Sequence, residues 1–183
     1  MSLVLLLGGA RSGKSRLALE LATASDADVT FLATAEALDE EMAERIAAHR
    51  TERPNGWATL EEPLELERAL SQVAAGATCI VDCLSLWVSN LLLRGDSAAK
   101  VEAAARATAA RAAARPGLTI AVTNEVGLGV VPTTPLGRSY RDLLGVVNRT
   151  WADASHHAAL VVAGRLLPLE DAATLASSLE ERA

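Results

Sequence analysis

Aromatic residues are scarce in this 183-residue chain: tryptophan, tyrosine and phenylalanine together make up 3% of it, although half of all residues are hydrophobic. This composition favours helices packed around a small aliphatic sheet over an all-β sandwich. No internal repeat, linker or second unit is recognisable in the sequence. The length suits one domain with a sizeable core, so we expect a single domain that spans residues 1–183.

An excess of positive charge is also missing. The 17 lysine and arginine residues are outnumbered by 23 acidic ones, which gives a net charge of −6. Proteins that bind nucleic acid usually carry a basic surface, so we expect no nucleic-acid partner. Neither a charged leader nor an uninterrupted apolar run of about 18 residues is present. We therefore expect a cytoplasmic protein without a transmembrane segment.

Cysteine is limited to Cys79 and Cys83, four positions apart. Zinc sites need about four clustered ligands, and no other ligand accompanies these two thiols. We interpret Cys79 as a buried strand residue and Cys83 as the residue that follows the end of that strand. The sequence therefore predicts no zinc site.

A glycine-rich turn lies between a predicted strand and a predicted helix near the start of the chain. Residues 3–7 are five consecutive aliphatic residues, typical of a strand buried on both faces, and residues 17–21 form an amphipathic helical pattern. Between them, residues 8–15 read Gly-Gly-Ala-Arg-Ser-Gly-Lys-Ser. This order of strand, Gly-x4-Gly-Lys-Ser and helix predicts a phosphate-binding loop, and a chance match is the alternative.

The residue types of this turn suit phosphate chemistry. Gly8 and Gly13 let the backbone curl so that successive N–H groups point at one phosphate, and the helix that follows adds the positive end of its dipole. Lys14 can reach the β- and γ-phosphates as a point charge. The Ser15 hydroxyl can join the coordination shell of Mg²⁺.

The second predicted strand, residues 29–33, is followed by Thr34, Ala35 and Glu36. Ligands of open α/β sheets gather outside the carboxyl ends of the strands. These three residues are therefore a candidate binding loop.

A charged helix is predicted from residue 39 until shortly before Pro54. Glu41, Arg45 and His49 are spaced four apart, so they share one face of this helix. Residues 57–61 are interpreted as an extended segment at the edge of the sheet.

His49 has two interpretations. Near a helix C-terminus it can be a cap or a solvated side chain. It can also attack an α-phosphate and form a phosphoramidate, and Arg45, Arg50 and Arg53 would then hold a second set of phosphates around it.

The third predicted strand, residues 78–82, closes on Asp82. A carboxylate in this position often holds Mg²⁺ beside a phosphate loop. Alternatively, Asp82 caps the predicted helix at residues 84–93. Spacing alone leaves both roles open.

The second half of the chain continues the alternation of helices and strands. An alanine-rich helix is predicted at residues 97–115, a strand at 118–123, a helix at 136–154, a strand at 158–164 and a terminal helix at 170–182. Residues 124–132 form a glycine-containing loop that either faces the crevice or is a long surface loop. His156 and His157 are interpreted as solvated.

Several motifs appear in one order along the chain: the phosphate loop at 8–15, Arg-Ile-x2-His-Arg-x2-Arg-Pro-x2-Trp-x-Thr-x-Glu at 45–61, Val-Asp-Cys-Leu at 81–84, Thr-Asn-Glu-Val-Gly-x-Gly-x-Val-Pro at 123–132, and Arg-Asp-x2-Gly-x2-Asn at 141–148. Together they closely resemble the bifunctional adenosylcobinamide kinase / adenosylcobinamide-phosphate guanylyltransferases of cobalamin biosynthesis. The resemblance covers roughly residues 3–164.

The resemblance implies an α/β fold of the P-loop, RecA-like type, a three-layer sandwich with a mostly parallel central sheet, assembled as a homotrimer. It also implies two reactions. The first phosphorylates adenosylcobinamide with ATP or GTP. The second transfers GMP from GTP to adenosylcobinamide phosphate through a guanylylated histidine, giving adenosylcobinamide-GDP.

Carried over by position, the resemblance implies that His49 and Lys14 are catalytic and that Ser15 and Asp82 hold Mg²⁺. The implied nucleotide contacts are Gly8, Gly9, Ala10, Arg11, Ser12, Gly13, Lys14, Ser15, Thr34, Ala35, Glu36, Arg50, Thr51, Glu52, Arg53, Glu61 and Asp82. One alternative is a small-molecule kinase without the guanylyltransferase step, in which His49 is structural. Another is a nucleotide-dependent switch protein, although a switch needs no second nucleophile.

Overall fold

The computed structural model describes residues 2–174, in which strands and helices alternate along most of the chain. The strands are β1 (Ser2–Gly8), β2 (Val29–Ala33), β3 (Ala58–Glu61), β4 (Thr78–Asp82), β5 (Leu118–Asn124), β6 (His157–Val162) and β7 (Arg165–Leu169). The helices are α1 (Lys14–Thr23), α2 (Glu40–Thr51), α3 (Leu66–Gln72), α4 (Leu84–Leu93), α5 (Ala98–Ala114) and α6 (Pro135–Ala154).

The strands form a single sheet in the order β3-β2-β4-β5-β1-β6-β7. All neighbouring pairs are parallel except β6 and β7. In β1, Leu5 and Leu6 are both fully buried although successive side chains of a strand point to opposite faces. The five-residue aliphatic run is therefore explained by a strand that is covered on both sides, as the sequence predicts.

Helices cover both faces of the sheet. On one face, α3 to α6 pack on Leu3, Leu5 and Leu7 and bury the two large side chains Trp87 and Trp151. On the other face, α1 packs Ala18 and Ala22 against a second apolar cluster that contains Leu6, Phe31, Ile80 and Ile120. The three-layer α/β arrangement with a mostly parallel sheet confirms the predicted fold class.

Helix α2 differs from its neighbours because none of its residues is buried. Asp39 caps its N-terminus by accepting a hydrogen bond of 2.7 Å from the backbone N–H of Met42. Its first turn carries Glu40 and Glu41, which suit the positive end of the helix dipole. The helix is thus stabilised by its own capping and charge pattern more than by an apolar face.

The last strands differ from the sequence-based prediction. The predicted strand at 158–164 ends at Val162, where Ala163 and Gly164 form a turn with φ of 50° and 72°. The chain then returns antiparallel as β7, an element that the sequence analysis missed. Pro168 lies within β7, and proline is tolerated there because an edge strand need not donate every backbone hydrogen bond. The predicted terminal helix at 170–182 lies largely outside the described residues.

Across residues 2–174, no helix has both the length and the apolar character that crossing a membrane requires.

Candidate active site

The phosphate loop connects β1 to α1 through two glycines that cannot be replaced without strain. Gly8 has a φ of 156°, and a Cβ atom there would lie 2.5 Å from the backbone oxygen of Val161. Gly13 caps α1 in the left-handed region, with a φ of 98°. A Cβ atom on Gly13 would lie 3.2 Å from the Cα of Gly164, in the turn between β6 and β7. The Gly164 N–H donates to the backbone oxygen of Ser12 at 2.8 Å. Strand β6 and the turn after it therefore pack closely against this loop.

Lys14 lies inside the loop, with only 7% of its surface exposed. Its Nζ donates to the backbone oxygens of Gly8 at 2.9 Å and Gly9 at 2.7 Å. Burial lowers the pKa of Lys14, and the nearby Asp82 carboxylate acts in the opposite direction. The ammonium group is therefore placed where a phosphate would be cradled by the loop.

Asp82 ends β4 and lines the same cavity as Lys14 and Ser15. Burial raises the pKa of the Asp82 carboxyl, while a hydrogen bond from Ser15 and the charges of His49 and Lys14 act to lower it. The N-cap of α4 is Cys83, with no side-chain capping bond. The alternative interpretation of Asp82 as the cap of this helix is therefore wrong.

Thr34 has a structural contact that the sequence did not indicate. Its hydroxyl donates to the backbone oxygen of Cys83 at 2.7 Å and accepts from the Cys83 N–H at 2.8 Å. Its side chain is fully buried, whereas Ala35 lines the cavity and Glu36 is exposed outside it. Of the three residues in the predicted binding loop, only Ala35 lies on the cavity wall.

The two cysteines lie where the sequence placed them. Cys79 is buried in β4, and Cys83 follows the strand with its Sγ 2.9 Å from the Ser85 hydroxyl. Burial raises the pKa of Cys83 to about 11 and that of Cys79 to about 12. Both are free thiols and neutral at physiological pH.

Helix α2 turns the face with Glu41, Arg45 and His49 towards the cavity, as their spacing predicts. His49 lies in the last turn, but the C-cap is Glu52, so His49 is not the cap. Its Nδ1 is 3.3 Å from Glu52 Oε2, and 37% of its side chain is exposed. A proton on Nδ1, directed at this carboxylate, leaves the lone pair of Nε2 available as a nucleophile.

Arg53 is held beside the cavity by an aromatic contact. Its guanidinium carbon lies 3.7 Å from the centre of the Phe31 ring, and its Nη1 donates to the Thr59 hydroxyl at 3.3 Å. Burial lowers the pKa of Arg53, which nevertheless remains cationic, as arginine does in proteins. Arg50 pairs with Glu61 at the rim. Strand β3 thus supplies Thr59 and Glu61 as partners of the two arginines, and β2 supplies Phe31.

One cavity of about 620 Å³ brings most of the predicted site together. The predicted residues on its wall are Ala10, Arg11, Ser12, Gly13, Lys14, Ser15, Ala35, His49, Glu52, Arg53, Glu61 and Asp82. Gly8, Gly9, Thr34, Glu36, Arg50 and Thr51 are not on the wall. Arg50 lines a neighbouring depression of about 610 Å³ that shares Arg53 and Glu61 with the cavity and contains Trp57.

The wall residues that sequence reasoning missed as site residues include Phe31, Cys83 and Asn124. The sequence predicts Phe31 only as a core residue of a buried strand, so nothing in the sequence indicates its contact with Arg53. Asn124 ends β5. The sequence feature that could have identified it is the loop that follows, which was predicted as a candidate for facing the crevice. The rest of that loop is largely exposed, with Leu128 and Val130 more than four-fifths accessible.

The side chains at the phosphate loop fit Mg²⁺. Ser15 supplies a hydroxyl and Asp82 a carboxylate, and Mg²⁺ is usually bound by one or two such oxygens together with substrate phosphates and water. A group of three or more histidine, cysteine or acidic side chains able to hold a metal does not occur in residues 2–174. Ser15 and Asp82 are therefore a partial donor set, of the kind that Mg²⁺ would complete with phosphate oxygens and water.

Residues 4–169 match the family model described as cobinamide kinase / cobinamide phosphate guanyltransferase. The chain belongs to this family. Its members are enzymes with both activities, so the resemblance stated from the sequence motifs is confirmed.

Curated relatives match over nearly their whole length. The bifunctional adenosylcobalamin biosynthesis protein CobP of Pseudomonas aeruginosa is 47% identical over 91% of this chain and 96% of its own. The proteins named CobU from Escherichia coli K12 and Salmonella typhimurium LT2 are each 35% identical over 88% of this chain and 96% of their own.

A solved structure from Pyrococcus horikoshii OT3, described only as a structural study, covers 93% of this chain and 87% of its own. It has a TM-score of 0.55 at 9% identity. At that identity the likeness concerns the fold alone.

Proposed function

We propose that this chain phosphorylates adenosylcobinamide with ATP or GTP and then transfers GMP from GTP to the resulting phosphate. The products of the second step are adenosylcobinamide-GDP and pyrophosphate. Membership of the kinase and guanyltransferase family supports both activities. The observation that carries the proposal is that Lys14, Asp82 and His49 line one cavity. A phosphate site and a nucleophile for nucleotidyl transfer are thus within reach of one nucleotide.

For the kinase step, the backbone N–H groups of the phosphate loop and Lys14 bind the β- and γ-phosphates. Ser15 and Asp82 are the residues that would hold Mg²⁺, which neutralises phosphate charge when bound. Phosphoryl transfer needs positioning and charge stabilisation more than covalent help. The phosphate loop, which packs closely against the sheet, suits this need for positioning.

For the guanylyltransferase step, Nε2 of His49 attacks the α-phosphorus of GTP. A nitrogen–phosphorus bond forms while the bond to the bridging oxygen breaks, and pyrophosphate leaves. A phosphate oxygen of the acceptor then attacks the same phosphorus, and the histidine departs. Arg45 and Arg53, which line the cavity, counter the negative charge of the phosphates. Glu52 orients the ring through Nδ1.

The finer assignments belong to the same proposal. Arg50, Thr51, Glu52, Arg53 and Glu61 contact the guanine nucleotide, as do Ala35 and the backbone around it. Residues 1–183 act as one catalytic domain, the working assembly is a homotrimer, and the enzyme operates in the cytoplasm.

The test is incubation with α-labelled GTP and Mg²⁺, followed by denaturation and mass measurement. We expect a GMP adduct on the unaltered protein and none on His49→Ala. His157→Ala is the matched control, because His157 is an exposed histidine away from the cavity, and its adduct should be retained. The adduct should be labile in acid and stable in base, as phosphoramidates are.

Phosphorylation of adenosylcobinamide is assayed in parallel with γ-labelled ATP and GTP. If the unaltered protein phosphorylates the corrinoid but never acquires GMP, the covalent mechanism is wrong and the kinase without a guanylyltransferase step is the better description. If it hydrolyses GTP regardless of the corrinoid and transfers nothing, both transferase activities are contradicted.

A further inference from the structure

Asn124 occupies a central position that the proposed function does not use. Strand β5 lies between β4, which ends in Asp82, and β1, which leads into the phosphate loop. In the sheet register, Asn124 is level with Gly8, whereas Asp82 is level with Val122. Asn124 therefore stands between the carboxylate and the loop, two residues further along its strand than the level of Asp82. Asn124 is also one of the residues that line the cavity.

The backbone around Asn124 is held on both sides. The side-chain amide of Asn148 donates to the Asn124 carbonyl at 3.0 Å. The N–H of Glu125 donates to the backbone oxygen of Gly8 at 3.0 Å, and this same oxygen accepts from Lys14 Nζ at 2.9 Å. The position of Asn124 is thus set relative to the lysine that binds phosphate.

Buried polar groups extend this support into the core. Asn148, which is only 4% exposed, accepts from the hydroxyl of the fully buried Thr123 at 2.7 Å. Ser85, also buried, receives a hydrogen bond from Asn124 Nδ2 at 3.3 Å, and its backbone oxygen accepts from the Tyr140 hydroxyl at 3.2 Å. A satisfied polar network of this kind specifies one geometry, because any rearrangement leaves a buried group unpaired.

The side chain of Asn124 keeps bonding capacity that the fold does not use. Its Nδ2 carries two hydrogens, and one of them is directed at Ser85. The contact with Asn148 uses the backbone carbonyl of Asn124, so it would survive truncation of the side chain. A rigidly placed N–H donor beside a phosphate loop matches the requirement for stabilising charge that develops on a phosphoryl group.

We propose that Asn124 is a catalytic residue of the kinase step, and that its Nδ2 donates the second N–H to an oxygen of the γ-phosphate. Ser85 and Asn148 are positioning residues: Ser85 accepts from the side-chain amide, and Asn148 holds the backbone carbonyl of Asn124. In that step the acceptor hydroxyl oxygen bonds to the γ-phosphorus, and the bond to the β–γ bridging oxygen breaks. The nucleoside diphosphate leaves, and the hydroxyl proton is released to solvent. The inference rests on the proposed kinase activity.

The test compares binding of a non-hydrolysable ATP analogue with binding of ADP, both with Mg²⁺, in the unaltered protein, Asn124→Ala and Asn124→Asp. Losing a hydrogen bond to a charged group should raise the Kd of the triphosphate about 10- to 100-fold. The Kd of ADP should stay within about twofold of its value for the unaltered protein, because ADP lacks the γ-phosphate that Asn124 would contact. Asn124→Asp should weaken triphosphate binding most, since it keeps the shape but places a negative charge there.

Kinase kcat on adenosylcobinamide is measured with the same proteins and should fall about 10²- to 10³-fold for Asn124→Ala. Ser85→Ala, which loosens the amide but retains it, should show a smaller fall. Equal losses of ADP and triphosphate affinity, or no change in either, would overturn the role of Asn124. If the unaltered protein binds both nucleotides but does not phosphorylate the corrinoid, the proposed function fails, whereas the binding comparison still decides whether Asn124 contacts the γ-phosphate.

Discussion

The phosphate loop and helix α2 line the same cavity, yet they are supported in different ways. The loop is pinned to the sheet by backbone contacts, and its Lys14 is almost fully buried. Helix α2 has no buried residue, and its functional side chains are held by pairs such as His49 with Glu52 and Arg50 with Glu61. Two halves of one site therefore differ in how strongly the fold determines their geometry.

The proposed roles of the two halves fit this difference. A phosphate is compact and identical in every nucleotide, so a preset ring of backbone N–H groups suits it. Exposed ion pairs stabilise a structure by only about 0–1 kcal/mol. Segments with few buried apolar contacts open at lower free energy than the core. The phosphate loop is thus preorganised, whereas the position of helix α2 with His49 is fixed less firmly by the rest of the fold.

The largest expected effect separates the chemical roles of the two halves. Lys14→Ala should lower kinase kcat about 10²- to 10³-fold, because it removes the cation that faces the transferred phosphoryl group. Arg45→Ala, on the face of α2 that lines the cavity, should lower the rate of GMP adduct formation by only about tenfold. Steady-state kinetics and adduct formation measured on both variants test the contrast. A larger effect of Arg45→Ala on the kinase step than on adduct formation would contradict it.

The next prediction concerns stability. Gly8→Ala should lower the free energy of unfolding by about 2–4 kcal/mol, because the new Cβ meets the Val161 carbonyl and the backbone has a φ that alanine avoids. Gly56→Ala, in the turn after α2, is the matched control. Gly56 also has a positive φ, 96°, but open space surrounds it.

For Gly56→Ala we expect a loss of only about 1 kcal/mol. Denaturant unfolding of both variants provides the comparison. Equal losses of unfolding free energy in the two variants would mean that the close contact of Gly8 with β6 adds nothing to the cost of replacing this glycine.

The smallest expected effect is the coupling between Arg50 and Glu61. Both side chains are about half exposed, so a double-mutant cycle with Arg50→Ala and Glu61→Ala should give a coupling energy below about 1 kcal/mol. The coupling should shrink further in high salt. A coupling of several kcal/mol, unaffected by salt, would show that α2 is attached as firmly as the phosphate loop.

Much of the architecture was predictable because it depends on local patterns. The aliphatic run before the phosphate loop predicted a strand covered on both faces, and the spacing of Glu41, Arg45 and His49 predicted their common face. These signals work because the helix and strand periods bring defined positions together without knowledge of the rest of the chain.

Other features had no local signal. The strand β7 was missed because its residues do not alternate and carry a proline, and its turn proved to support Ser12 of the phosphate loop. Thr34 was expected among the nucleotide contacts, yet its hydroxyl is bonded to Cys83, 49 positions away. Asn124 followed a predicted strand, but its neighbours across the sheet could not be read from the sequence.

The sequence by itself determined the order of elements as far as β6, the predicted phosphate-binding loop and the group of candidate residues around His49, because each depends on residues within about one turn or one strand of each other. Only the tertiary structure decided that β5 separates Asp82 from the phosphate loop, that Asn124 stands between them, and that Arg53 rests on Phe31. The physical reason is that strand order and side-chain contacts depend on how distant segments pack together. The sequence pattern of one segment does not indicate which strands are its neighbours in the sheet.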